Sequence, residues 1–189
     1  MKPLTIYLIL SIISDYGRGQ PNGLHAPSQE IMNHVYVLRN DSLLALDQKD
    51  GRMESKTRAM GYGGSETGIV IDGDKSTLRI RAGDSLRFVV KLVTGMMDPT
   101  MMIRLYRLDS KKGKREAVMS MQGGAYSREK SNGNSNEISF NIQKSASDDY
   151  FMIPSSRLMS GEYGFMNMMM ISMQSSRNPV YTLFTFGID

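Results

Sequence analysis

From residue 34 onward the chain alternates apolar and polar side chains with a period of two, and no other feature constrains its fold as strongly. Leu78 and Ile80 alternate with Arg79 and Arg81, Phe88, Val90 and Leu92 with Arg87 and Lys91, and Ile138, Phe140 and Ile142 with Ser139, Asn141 and Gln143. Such a period puts successive side chains on opposite faces of a strand. Residues 34–38 and 42–46 flank Arg39-Asn40-Asp41, a turn with two residues that tolerate left-handed geometry, and this predicts a hairpin. A second hairpin is expected around the polar run 109–115, and a strand is expected to start at Met101. No window of the length a helix needs carries apolar residues at i, i+3, i+4 and i+7. The expectation is an all-β fold, an antiparallel two-sheet β-sandwich of immunoglobulin-like or jelly-roll-like kind. With 189 residues, 40% of them hydrophobic, a single domain over 34–189 suffices.

The preceding residues have a different character. Lys2, an apolar run from Leu4 to Ile13, and Gly17 and Gly19 ahead of Gln20 have the layout of a signal peptide over 1–19. Residues 20–33, punctuated by Pro21, Gly23 and Pro27, read as an extended lead-in. The expected location is therefore secreted or periplasmic, and no later segment has the apolar length of a membrane span. A net charge of +4 lacks the density of a nucleic-acid binder.

Short motifs add a resemblance. Gly61-Tyr62-Gly63-Gly64-Ser65, Gly73 to Arg79, Phe88-Val89-Val90, Leu158 to Tyr163 and the closing Phe184 to Asp189 resemble uncharacterised secreted β-sandwich proteins of bacteria. The resemblance implies location and fold, and it carries no activity or site residues.

The chemistry is bounded by what the chain contains. With no cysteine there is no disulfide, thiolate nucleophile or cysteine metal site, and imidazole chemistry is limited to His25 and His34. Methionine is abundant, 17 residues, and Met166, Met168 and Met170 recur at a strand spacing that puts their sulfurs on one face. Thioethers suit Cu(I) or silver, so these three are candidate soft-metal ligands, although methionine also fills irregular cores. On both faces of that segment apolar residues predominate, which predicts central burial.

Arg79, Arg81, Arg87, Lys91, Arg104 and Arg107 would form a cationic stripe for an acidic glycan, lipid headgroup or protein if their strands were adjacent. The glycine-rich run 61–68 reads as a bulge or inter-strand loop, and Asp72-Gly73-Asp74 as a turn. No nucleophile, base and carboxylate stand in a recognisable catalytic frame, and there is no tryptophan to stack on a sugar. These features describe an exported, non-enzymatic binding or structural module of the cell envelope or secreted fraction, without a cofactor. Two alternatives stay open, soft-metal binding and hydrolysis of envelope polymers, and self-association through an exposed edge strand is also compatible.

Overall fold

The computed structural model describes residues 31–57, 64–92, 98–122, 136–145, 149–173 and 179–189, with the side chains at 121–122 and 169–173 excepted. The predicted leader, most of the lead-in and residues 123–135 of the polar insert lie outside the described residues. The first hairpin forms as expected. β1 (Val35–Arg39) pairs antiparallel with β2 (Ser42–Ala45), and Asn40 and Asp41 take φ of 46° and 59° at the turn.

The chain then bends at buried Leu46 into β3 (Asp47–Thr57) and returns through β4 (Ser65–Asp72). β5 (Arg79–Ile80) and β6 (Phe88–Val90) are short. The strand expected from Met101 starts two residues later. Met101 and Met102 belong to a single helical turn, α1 (Pro99–Met102), because Asp98 accepts the Thr100 N–H at 2.8 Å and Pro99 sits at the first position. β7 (Ile103–Lys111) and β8 (Lys114–Gln122) follow, and their turn is tighter than the polar run suggested. Only Lys112 and Gly113 lie outside the strands, at φ of 53° and 77°. The expected alternating strand is divided at Ser139 into β9 (Glu137–Ile138) and β10 (Phe140–Lys144), and β11 (Tyr150–Pro154), β12 (Gly161–Met173) and β13 (Pro179–Ile188) complete the order.

Two sheets result. One has the order β10-β11-β6-β1-β2. In the other, β12-β13-β3-β4-β8-β7, the β7 strand also pairs with β12 from Ile103↔Asn167 to Leu108↔Glu162. Six strands therefore close into a barrel, which corrects the expected two-sheet sandwich. The closure follows from the length of β12, which is hydrogen-bonded along one edge to β13 and along the other to β7. The all-β and antiparallel expectations hold, with β5 against β13 as the one parallel contact among the described strands.

Strands β7, β12 and β13 of the barrel serve two cores because alternate residues face opposite ways. Ile103, Leu105, Phe165, Phe184 and Phe186 point outward and meet Val35, Phe88, Val90 and Met152 of the five-stranded sheet. There Phe88 lies 4.9 Å from Phe165 and 4.8 Å from Phe186, centroid to centroid, in tilted and edge contacts. Ile69, Ile71, Leu108, Met166 and Leu183 point the other way and fill the barrel. Six strands leave a lumen narrower than the eight that just accommodate side chains, so small residues are needed. A Cβ added to Gly51 would stand 2.7 Å from Leu183 and 2.9 Å from Ile69, and one at Gly164 would stand 3.3 Å from Leu108. Of the segment 166–173, for which central burial was predicted, Met166 and Asn167 are buried, Met168 is half-buried, and the side chains at 169–173 lie outside the described residues.

Candidate functional site

The basic residues singled out in the sequence separate. Arg79 stands in β5 beside β13 and Arg104 in β7, both in the barrel sheet, whereas Arg87 and Lys91 flank β6 in the other. Arg104 is held by Glu137 at 2.6 Å. Arg79 donates to Glu162 and, at 2.5 Å, to Asp189, which holds the Asp189 carboxyl below its usual range. The six positions therefore do not form one stripe.

Arg79 belongs to a polar cluster that closes one end of the barrel. Arg115 is fully buried and donates to Ser76 Oγ at 2.5 Å, to the Gly73 carbonyl at 2.9 Å and to Glu162 at 3.2 Å. Glu162 also accepts the Ser76 N–H at 2.8 Å, so segment 73–78 is fastened across the strand ends. Burial lowers the Arg115 pKa, and the Glu162 charge works against that shift. Asp74 accepts the Gly113 N–H at 2.8 Å and Asp72 lies 3.7 Å from Arg52, so the Asp72-Gly73-Asp74 run is a turn, as expected. Among the described residues no three His, Asp or Glu side chains group as a metal site.

Two of the three methionine candidates, Met166 and Met168, pack as apolar residues. Met166 is fully buried against the lumen cluster, which half-buried Met168 and Met119 also touch, and the Met170 side chain lies outside the described residues. His34 is half-buried beside Phe184, with ring centroids 4.6 Å apart, and its Nε2 donates to the Leu46 carbonyl at 3.2 Å.

Arg81 and Arg87 are instead brought to a run of three adjoining grooves at the loop end of the molecule. The first, about 420 Å³, lies between Asn40-Asp41, Arg87 and Ile153. It shares Ser85, Leu86 and Ile153 with the second, about 310 Å³, which Arg81 and Arg157 line. Ser156, Arg157 and Leu158 are in turn shared with the third, about 370 Å³, bounded by Arg107, Asp109 and Glu137.

Backbone geometry positions two of these guanidinium groups. Gly83, at φ 108°, has Arg157 Nη2 3.1 Å from where a Cβ would stand, and Gly161 has the Arg107 guanidinium 3.8 Å from its Cβ position. Arg87 lies 5.8 Å from the Phe151 ring centroid. Arg81, Arg87, Arg107 and Arg157 are all exposed, and among the described residues none forms an ion pair. The acids nearby are engaged elsewhere: Asp84 faces Arg39 at 4.0 Å, Glu137 holds Arg104, and Asp109 accepts from Asn136 at 3.0 Å.

Arg157 is missing from the sequence-derived stripe, which does contain Arg107. It sits in an aperiodic loop where no pattern marks it. Among the described residues no helix is long and apolar enough to cross a membrane. No family model matches the chain, and neither does a curated protein or a solved structure.

Proposed function

We propose that the protein is an exported, non-enzymatic binding module that takes an acidic carbohydrate of the cell envelope or its surroundings in the groove between Arg81 and Arg157. One observation carries the reading: two exposed guanidinium groups without carboxylate partners among the described residues line one groove, and one of them is seated on the backbone at Gly83. Arginine presents several donors in a planar fork, which suits carboxylate and sulfate oxygens. Ser85, Ser155 and Ser156 add hydroxyls that suit a sugar, and Leu86 and Pro154 give an apolar floor. The leader over residues 1–19 supports export.

The test is calorimetric titration with uronate-containing and sulfated oligosaccharides, with neutral oligosaccharides as controls. Saturable binding is expected for the acidic set, with a loss of about tenfold or more when Arg81 and Arg157 are both changed to alanine. Equal binding by the double variant would reject the site.

A second reading, soft-metal binding, is favoured by the convergence of Met119, Met166 and Met168 on the lumen cluster. A saturable thermal shift with Ag(I), abolished by Met166→Leu with Met168→Leu, would support it.

A further inference from the structure

We infer that the three grooves form one path for a linear glycan in which an acidic sugar is flanked by uncharged ones. This rests on the reading above and extends it from a site to a ligand pattern. The grooves adjoin in pairs, through Leu86 and Ile153 on one side of the middle groove and through Arg157 and Leu158 on the other, so their order in space is fixed. A ligand longer than one sugar that enters the middle groove runs into its neighbours.

Charge differs along that path. In the first groove Arg87 is balanced by Asp41. In the third, Arg107 and Arg157 face two carboxylates, Asp109 and Glu137, the latter also held by Arg104 at 2.6 Å. Only in the middle do two arginines face one acid, Asp84, and that acid is already opposite Arg39 at 4.0 Å. An anionic group is therefore favoured at the centre, while one at either end would meet a carboxylate as well as a guanidinium. The ends instead offer hydrogen-bonding groups to hydroxyl or amide substituents, Asn40 in the first groove and, in the third, the Oδ1 acceptor of Asn136, whose Nδ2 is bound to the Arg107 carbonyl and to Asp109. A polymer charged on every unit would match the centre and mismatch both ends.

The experiment measures binding of the full protein to three oligosaccharide series, each from disaccharide to octasaccharide. The first is hyaluronan, in which glucuronate alternates with N-acetylglucosamine; the second is oligogalacturonate, charged on every unit; the third is neutral chitooligosaccharide. Hyaluronan affinity is expected to rise by about tenfold from disaccharide to hexasaccharide and then level off, as successive grooves fill. The dependence on salt should correspond to about one ion pair, since one charged unit reaches the central arginines.

Arg157→Ala, at the junction of two grooves, should weaken the hexasaccharide by about tenfold, and Asn136→Ala should weaken the hexasaccharide while leaving the disaccharide unchanged. Affinity independent of length, or tighter binding of oligogalacturonate with a steeper salt dependence, would overturn the inference and leave the acidic-carbohydrate reading standing. Binding to poly-glutamate in preference to every sugar would overturn both, and so would absence of binding to all acidic sugars.

Discussion

The guanidinium of Arg79 lies directly over the Cα of Gly187, in the space that any side chain at that position would occupy. Gly187 and Arg79 are register partners in the parallel contact between β13 and β5. Arg79 cannot swing aside freely, because Glu162 and Asp189 hold it. Gly187→Ala should therefore lower stability by about 1–3 kcal/mol, the range for overpacking a close contact. Urea denaturation measures the loss, and adding Arg79→Ala should recover part of it, giving a double variant less damaged than the sum of the two.

Breaking the buried pair at the closed end of the barrel should cost more. Arg115→Leu leaves Glu162 beneath segment 73–78 with one fewer cationic partner, and removal of one member of a buried pair typically costs about 3–5 kcal/mol. Replacing both, Arg115→Met with Glu162→Leu, should be milder than Arg115→Leu alone, because no buried carboxylate is then left to rely on Arg79 alone. The comparison of the two midpoints in urea decides this, and equal losses would count against a coupled pair.

Met166 distinguishes core packing from ligation. Its side chain is fully buried, so Met166→Leu should cost less than about 1.5 kcal/mol and Met166→Ala about 2–5 kcal/mol. If Met166→Leu is the more damaging in thermal unfolding with Ag(I) present and harmless without it, the sulfur has a role beyond filling space.

Sequence period recovered those elements whose faces differ in burial. β10 shows the clearest case, with half-buried Phe140 and Ile142 alternating with exposed Asn141 and Gln143. β3 escaped because its residues are mostly polar and its place comes from hydrogen bonds to β13 and β4, a tertiary cause with no local signature. Met101 was read as strand because its pattern fits one, while the capping Asp98 and the Pro99 beside it were the overlooked signals. Barrel closure was illegible for a simpler reason: pairing of β7 with β12 joins residues more than fifty positions apart, and an alternating strand does not name its neighbour. For the site, Arg81, Arg87 and Arg107 were legible in the sequence, and folding supplied Arg157 by bringing the loop after β11 against Gly83.

Acid should weaken the fold in part through His34. Its pKa lies below the ordinary 6.5 because burial disfavours the charged ring, an effect only partly offset by the bond to Leu46. The unfolded chain takes up the proton more readily, so the His34 contribution is complete above pH 6.5 and falls away as pH drops from there through the lower folded-state value. Wild type and His34→Gln should therefore show stability curves that converge as pH falls below 6.5 and separate by a constant amount above it. Parallel curves across the whole range would mean that the ring is as easily charged folded as unfolded.

The position of β13 in sequence has a consequence for how the protein is made. It is the latest described strand, yet it lies between β12 and β3, holds β5, and places Phe184 and Phe186 at the junction of the sheet and the barrel. A ribosome-bound chain lacking residues 179–188 can form the β1–β2 hairpin, but neither the closed barrel nor the aromatic centre. Such a chain stays open until residues 179–188 have been translated, and its folding is then governed by distant pairings, the slow class of contacts. A chaperone meeting it during synthesis would thus encounter an unfolded substrate.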